Sequence, residues 1–177
     1  MSAAAYAQEA PAKPNADALW SGLHQATKRC FDDYLGADAI QRAAAQKRLL
    51  LALELGWKLE ELVLLPAMKE GDIKLRVDTL LIYEEIEKLR DLAELVQEGK
   101  LDPAANIVVL GALEGIAGLR SVRIQQALEA AQSICCGVNK AVLSIEMEDM
   151  LKRWREEIAT TGDIEDEERD PVGLAPR

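Results

Sequence analysis

A single histidine stands in the 177 residues of this chain. Any site built on two or more imidazoles, which covers most zinc and di-iron centres, is excluded on that count. Basic residues are also short, 21 against 31 acidic, and the net charge of −10 argues against broad nucleic-acid binding, which needs a surplus of Lys and Arg to neutralise phosphate. No apolar run reaches the length of roughly 18 residues that a membrane span requires, and the run Leu49–Leu53 is broken by Glu54. Three cysteines are an odd number, and Cys135 and Cys136 are adjacent, so there is no disulfide framework. Ala5-Tyr6-Ala7 resembles a signal-cleavage site, yet no basic stretch or apolar run precedes it, so no secretory signal is expected. These absences together predict a cytoplasmic protein with neither a nucleic-acid nor a membrane partner.

What remains is aliphatic. With 49% hydrophobic residues and few aromatics, the chain can bury one core, and its length suits one domain. β-branched residues are sparse and apolar residues recur at three and four, which predicts helices and no strand. The first helix starts near Asn15 or Asp17, behind Pro14, carries Leu19, Trp20, Leu23, Cys30, Phe31 and Tyr34, and ends at Leu35-Gly36, where glycine allows a left-handed cap. Asp38 is placed to cap a second helix running to about Glu70-Gly71, with Pro66 expected to kink or terminate it. A third helix is expected from Asp72 to Gly99. A fourth follows from Asp102-Pro103 to the Cys135-Cys136-Gly137 region, with proline at its first position. A fifth covers about Asn139 to Ala159. The expected organisation is a disordered arm at 1–14, a helical domain at 15–160 and a disordered acidic tail at 161–177. Short connections between long helices predict an all-α, up-down-up-down four-helix bundle with an additional C-terminal helix.

Polar residues on apolar stripes are the informative ones. His24 lies four residues after Trp20 and seven before Phe31, at the edge of the first helix's core face. It reads as a hydrogen-bonded boundary histidine or as a remaining ligand. Glu60 shares a face with Leu53, Gly56 and Val63, where burial of a carboxylate is costly unless it is paired, protonated or metal-bound. Gly56, one turn earlier, removes a side chain in mid-helix and permits close packing or leaves room for something. Arg120 interrupts the apolar face of the fourth helix and either pairs with Glu60 or snorkels to solvent. Gly111, Gly115 and Gly118, with Ala112 and Ala117, form a small-residue patch suited to close helix packing, and no nucleotide fingerprint is present. Cys135-Cys136 reads as small apolar residues at a helix end, with a vicinal redox pair as the alternative.

The segment from Asp17 to Glu70 resembles the first half of hemerythrin-like, HHE cation-binding domains. The residues that carry this are His24-Gln-Ala-Thr-Lys-Arg-Cys-Phe31-Asp32-Asp33-Tyr34-Leu35 and Gly56-Trp-Lys-Leu-Glu60-Glu61-Leu-Val-Leu-Leu65-Pro66-Ala67. The resemblance implies the hemerythrin-like fold and, at its ligand positions, a dismantled metal site. His24 and Glu60 match the family's ligands in type. The other histidine positions fall at Gly56, Tyr83 and Ile116, and a glutamate position at Arg120. With one His and one Glu retained, no di-iron centre or other cofactor is expected. A network of Glu60, Arg120 and Tyr83, with His24 nearby, is expected in its place.

Two functions follow as expectations. The first is a non-catalytic regulatory or protein-interaction module, with a protein partner or a homodimer formed through the small-residue patch and the apolar fifth helix. The second is a ligand- or metal-binding sensor or carrier with an altered site near His24 and Glu60, aided by carboxylates such as Glu84, Glu85 and Glu87. An enzyme has little support, since no nucleophile or oxyanion device is identifiable by spacing; a thiol role for Cys135 and Cys136 is the remaining variant. The fifth helix mixes Lys152, Arg153 and Arg155 with five acidic residues, which disfavours anionic lipid.

Overall fold

The computed structural model describes residues 15–69, 73–133 and 140–161. The expected arm, the tail beyond Thr161, Asp72 and the Cys135-Cys136 pair lie outside the described residues. Among those described, the chain is all-helical and contains no strand. The helices are α1 (Ala16–Gly36), α2 (Arg42–Leu59), a π turn (Glu60–Leu64), α3 (Leu65–Lys69), α4 (Ile73–Gln97), α5 (Pro103–Ser133) and α6 (Lys140–Thr161). No helix among the described residues is long and apolar enough to cross a membrane.

The starts follow local chemistry. The Asn15 side chain accepts from the Ala18 N–H at 2.9 Å, satisfying one of the donors orphaned at a helix N-terminus. Asp102 accepts from both Ala104 and Ala105 N–H at 2.9 Å, with Pro103 in the first position of α5. Two ends differ from expectation. Gly36 stays helical, and the chain leaves α1 through Ala37 in an extended conformation (φ −68°, ψ 137°). The left-handed glycine is Gly99 (φ 65°), which stops the turn after α4. Asp38 does not cap a helix that begins at once. It accepts from Ile40 and Gln41 N–H in a turn, and the helix starts at Arg42.

The second helix is also not uniform. Pro66 does not end it, and the chain stays helical to Lys69. The turn before the proline is widened, so that the Leu65 N–H bonds to the Glu60 carbonyl five residues back. A proline ring clashes with the carbonyl four residues earlier. The widened turn lies where that clash would fall.

Partners step through the sequence in a consistent direction. Trp20 Nε1 donates to the Ser121 carbonyl at 3.2 Å, and the His24 and Phe31 rings lie 3.4 and 3.5 Å from where a Cβ on Gly118 and Gly111 would sit. Numbers rise on α1 as they fall on α5, so these helices run antiparallel, with Gly111 and Gly118 on the side of α5 that faces α1. On α4, Val96, Arg90 and Tyr83 meet Gln46, Glu54 and Glu61 in the same antiparallel sense. Asn106 meets Gln46 and Arg120 meets Glu60, so α5 runs parallel to α2.

The apolar interior falls into two clusters. One joins Leu19, Trp20 and Leu23 of α1 to Leu55, Leu59, Val63, Ile124 and Leu128, and α6 closes it with Leu143, Met147, Leu151 and Trp154. The other joins Cys30 and Tyr34 to Leu49, Leu53, Trp57, Ile86, Leu89, Leu110 and Leu113. Each fully buried aliphatic side chain contributes about 1.5–3 kcal/mol, and α6, which belongs to the first cluster alone, is held by that packing.

Candidate functional site

Between the two clusters lies a polar layer. Along α1 the first cluster ends at Ala26 and the second starts at Cys30, with Thr27 between. Along α5 the fully buried residues of the second cluster end at Leu113, with Ile116 and Ala117 packed against it, and the first cluster begins at Ile124, with Arg120 and Ser121 between. Thr27, Glu60, Arg120 and Ser121 are the buried polar residues among those described. Thr27 spends its hydroxyl proton on the Leu23 carbonyl at 3.1 Å.

Arg120 and Glu60 form the centre of this layer, at 2% and 3% exposure. Arg120 Nε donates to Glu60 Oε2 at 3.1 Å, and Nη2 donates to the same oxygen. Nη1 reaches the other way, to Glu85 Oε2 on α4 at 3.1 Å. The guanidinium therefore joins α5 to the π turn and to α4. Its planar fork of donors suits a bridge between two carboxylates better than an ammonium would. Burial pushes the Glu60 carboxyl up from its ordinary value; the Arg120 charge and hydrogen bonds pull it down by less, and Glu85 adds to the rise.

Tyr83 takes a different partner from the one its position suggests. Its hydroxyl donates to the Glu61 backbone carbonyl at 3.2 Å rather than to the Glu60 carboxylate. The cause is the π turn. In an α-helix the Leu65 N–H would serve the Glu61 carbonyl, but it serves Glu60 instead. One residue further on is Pro66, which has no N–H. The Glu61 carbonyl is thus without a backbone donor, and Tyr83 supplies one from α4. Burial, then the Glu61 charge, push the phenol up, which keeps it protonated and able to donate.

A second arginine was not evident from the sequence. Arg90 of α4 places Nε and Nη2 on the two oxygens of Glu54 at 3.3 and 3.2 Å, and Nη1 lies 2.9 Å from Glu61 Oε2. The signal that could have found it is the spacing of seven between Glu54 and Glu61, which sets two carboxylates along one side of the helix. Because all three side chains are about one-third exposed, this cluster contributes less than a buried one.

His24 is half-buried and lines a cavity of about 20 Å³ together with Gly56, Glu60, Thr27 and Trp57. That is room for one water molecule. Gly56 opens onto space, since a Cβ there would meet nothing within 4 Å. Trp57 is buried, and its Nε1 has no hydrogen-bond partner among the described residues. Cys30, the cysteine that lies within the described residues, is buried, and burial followed by Asp33 pushes its thiol up, away from the reactive thiolate.

The sequence-expected residues therefore divide. Arg120 meets Glu60, His24 shares a cavity with Glu60, Tyr83 serves a neighbouring carbonyl, and Cys135 and Cys136 lie outside the described residues. A pair of metal ions requires several imidazoles and free bridging carboxylates. The side chains present supply one imidazole and a carboxylate already held by a cation, and no group of three or more His, Cys, Asp or Glu among the described residues is arranged to hold a metal. This donor set does not fit such a centre. Comparison with protein-family models, with curated proteins and with solved structures gave no match to this chain.

Proposed function

We propose that this chain is a non-catalytic, hemerythrin-like helical bundle, with up-down-up-down helices and an additional C-terminal helix, that acts as a regulatory or protein-interaction module in the cytoplasm. Its interior is held by an arginine–carboxylate layer at the positions where the resembled family carries metal. The observation that carries this reading is the Arg120 guanidinium on Glu60. A cation supplied by the chain itself occupies the carboxylate that a metal would need. The pairwise helix directions support the bundle order, and the cysteine pattern supports the compartment. Elemental analysis of the purified chain tests it. Substoichiometric iron, zinc and manganese are expected, and stoichiometric metal that survives a chelator would overturn it.

The cavity shared by His24 and Glu60 favours a second reading, a binding protein with an altered site. A cation that binds the folded state raises the melting temperature by mass action. Thermal shifts with iron, manganese, zinc and calcium, with and without chelator, separate the two. No shift is expected under the first reading, and a chelator-reversible shift lost in Glu60→Gln would establish the second.

A further inference from the structure

α5 is apolar on both sides, and only one side is covered. Its buried face carries Leu110, Leu113, Ile124 and Leu128. The opposite face exposes Val108, Leu119 and Val122, at 70%, 66% and 54%, and between them Ala112 and Gly115 are exposed as well. These five residues are spaced four, three, four and three apart, the spacing of a coiled-coil seam. The face holds no charged residue from Val108 to Val122, in a chain of net charge −10. A second copy of such a chain meets like charge on most approaches, whereas pairing along this stripe brings no two like charges into direct contact.

We infer that α5 pairs with α5 of a second copy, antiparallel, along Val108, Ala112, Gly115, Leu119 and Val122. The choice of a second copy rests on self-complementary size. In an antiparallel seam each position of one register faces the other register of the partner helix. Leu119 then sits against Gly115 and Val122 against Ala112, with the same two layers repeated across the two-fold axis. Each layer sets one large side chain against one small one, which lets the ridges interdigitate. A parallel pair would place Gly115 against Gly115 and leave a gap. Gly115 accepts a partner because nothing lies within 4 Å of its Cβ position, whereas Gly111 and Gly118 face Phe31 and His24 of the same chain. One helix pair covers less than the standard interface of about 800 Å² per partner, so the dimer is reversible and concentration-dependent.

The inference names the partner for the interaction role proposed above and rests on that reading. Its test is separate, since it reads mass rather than metal. Sedimentation equilibrium of the full chain across the micromolar range is expected to show mass rising from monomer to dimer. Leu119→Glu and Val122→Glu are each expected to weaken the dimer at least tenfold with unchanged helicity by circular dichroism. Ile145→Glu, at an exposed position on α6, is expected to leave it intact. A benzophenone side chain incorporated at Gln126 is expected to crosslink near Val108 of the second copy. A monomer at every concentration, or a dimer indifferent to both α5 glutamates, overturns the pairing, and a crosslink to the region around Gln126 overturns its antiparallel sense.

Discussion

Arg120 and Glu60 meet across the interior with two donors on one carboxylate oxygen, and neither side chain has access to solvent to replace the other. Removing one member leaves the other buried without its partner. Arg120→Met is expected to cost about 3 kcal/mol or more, limited by the ability of Glu60 to take up a proton. The double substitution Arg120→Met with Glu60→Leu is expected to recover much of that loss, because a well-packed apolar pair is often as stable as a buried ion pair. Urea unfolding of the two singles and the double measures this, and additive losses would show that the two residues are not coupled.

Burial raises the Glu60 carboxyl in the folded chain above the ordinary glutamate value of 4.5. Between those two values the folded state binds more protons than the unfolded state, so unfolding free energy falls as pH rises through that interval. The stabilisation is fully present below the ordinary value and is lost as pH passes the raised one. Stability curves for the parent chain and Glu60→Gln are expected to differ by a slope of this sign, with the parent chain losing more from pH 4.5 upward. A difference of the opposite sign would mean that Arg120 outweighs burial.

Gly56 weakens its helix and fills nothing. Gly56→Ala is expected to stabilise the chain by about 1 kcal/mol, from helix propensity alone, with the new methyl entering open space. A rise in melting temperature checks it. Destabilisation would mean that the space beside His24 and Glu60 is needed by something the folded chain holds there.

Tyr83→Phe removes the donor of the Glu61 carbonyl and is expected to cost about 1 kcal/mol. The loss is expected to shrink in a Pro66→Ala background, where a backbone N–H returns within reach of the widened turn. Chemical denaturation of the four chains of this cycle reads the coupling, and equal losses in both backgrounds would dissociate Tyr83 from the proline.

Helix starts are written locally. Asn15 and Asp102-Pro103 are legible because a cap needs only residues three or four apart, and a left-handed glycine after α4 needs only its own freedom. Glu60 and Arg120 also stand out along the chain, since each interrupts an apolar stripe. Their pairing is expected from two opposite charges on buried stripes, whereas the contacts of Arg90 carry no such signal. Helix packing brings together groups 60 and 36 residues apart. No spacing rule encodes that.

Three features show where the sequence by itself stops. Gly36 is the last residue of α1 and Gly99 follows α4, and of the two only Gly99 turns left-handed; the chain after α1 leaves through an extended Ala37 whose carbonyl accepts from Arg42 Nη2 at 3.0 Å. The π turn before Pro66 shifts the backbone pairing by one residue, and through it the partner of Tyr83. α5 has a face legible from its periodicity, and Leu113, Arg120 and Ile124 on it are buried, but the apolar stripe on its other side has no counterpart in that reading. An all-helical chain, the starts of α1 and α5, and the residues out of place on the apolar stripes were legible along the chain, since these depend on neighbours within a few turns. Helix packing added what no local pattern carries, namely Glu85 as the second partner of Arg120, the two carboxylates held by Arg90 and the Glu61 carbonyl as the partner of Tyr83, because these contacts depend on which helices lie side by side.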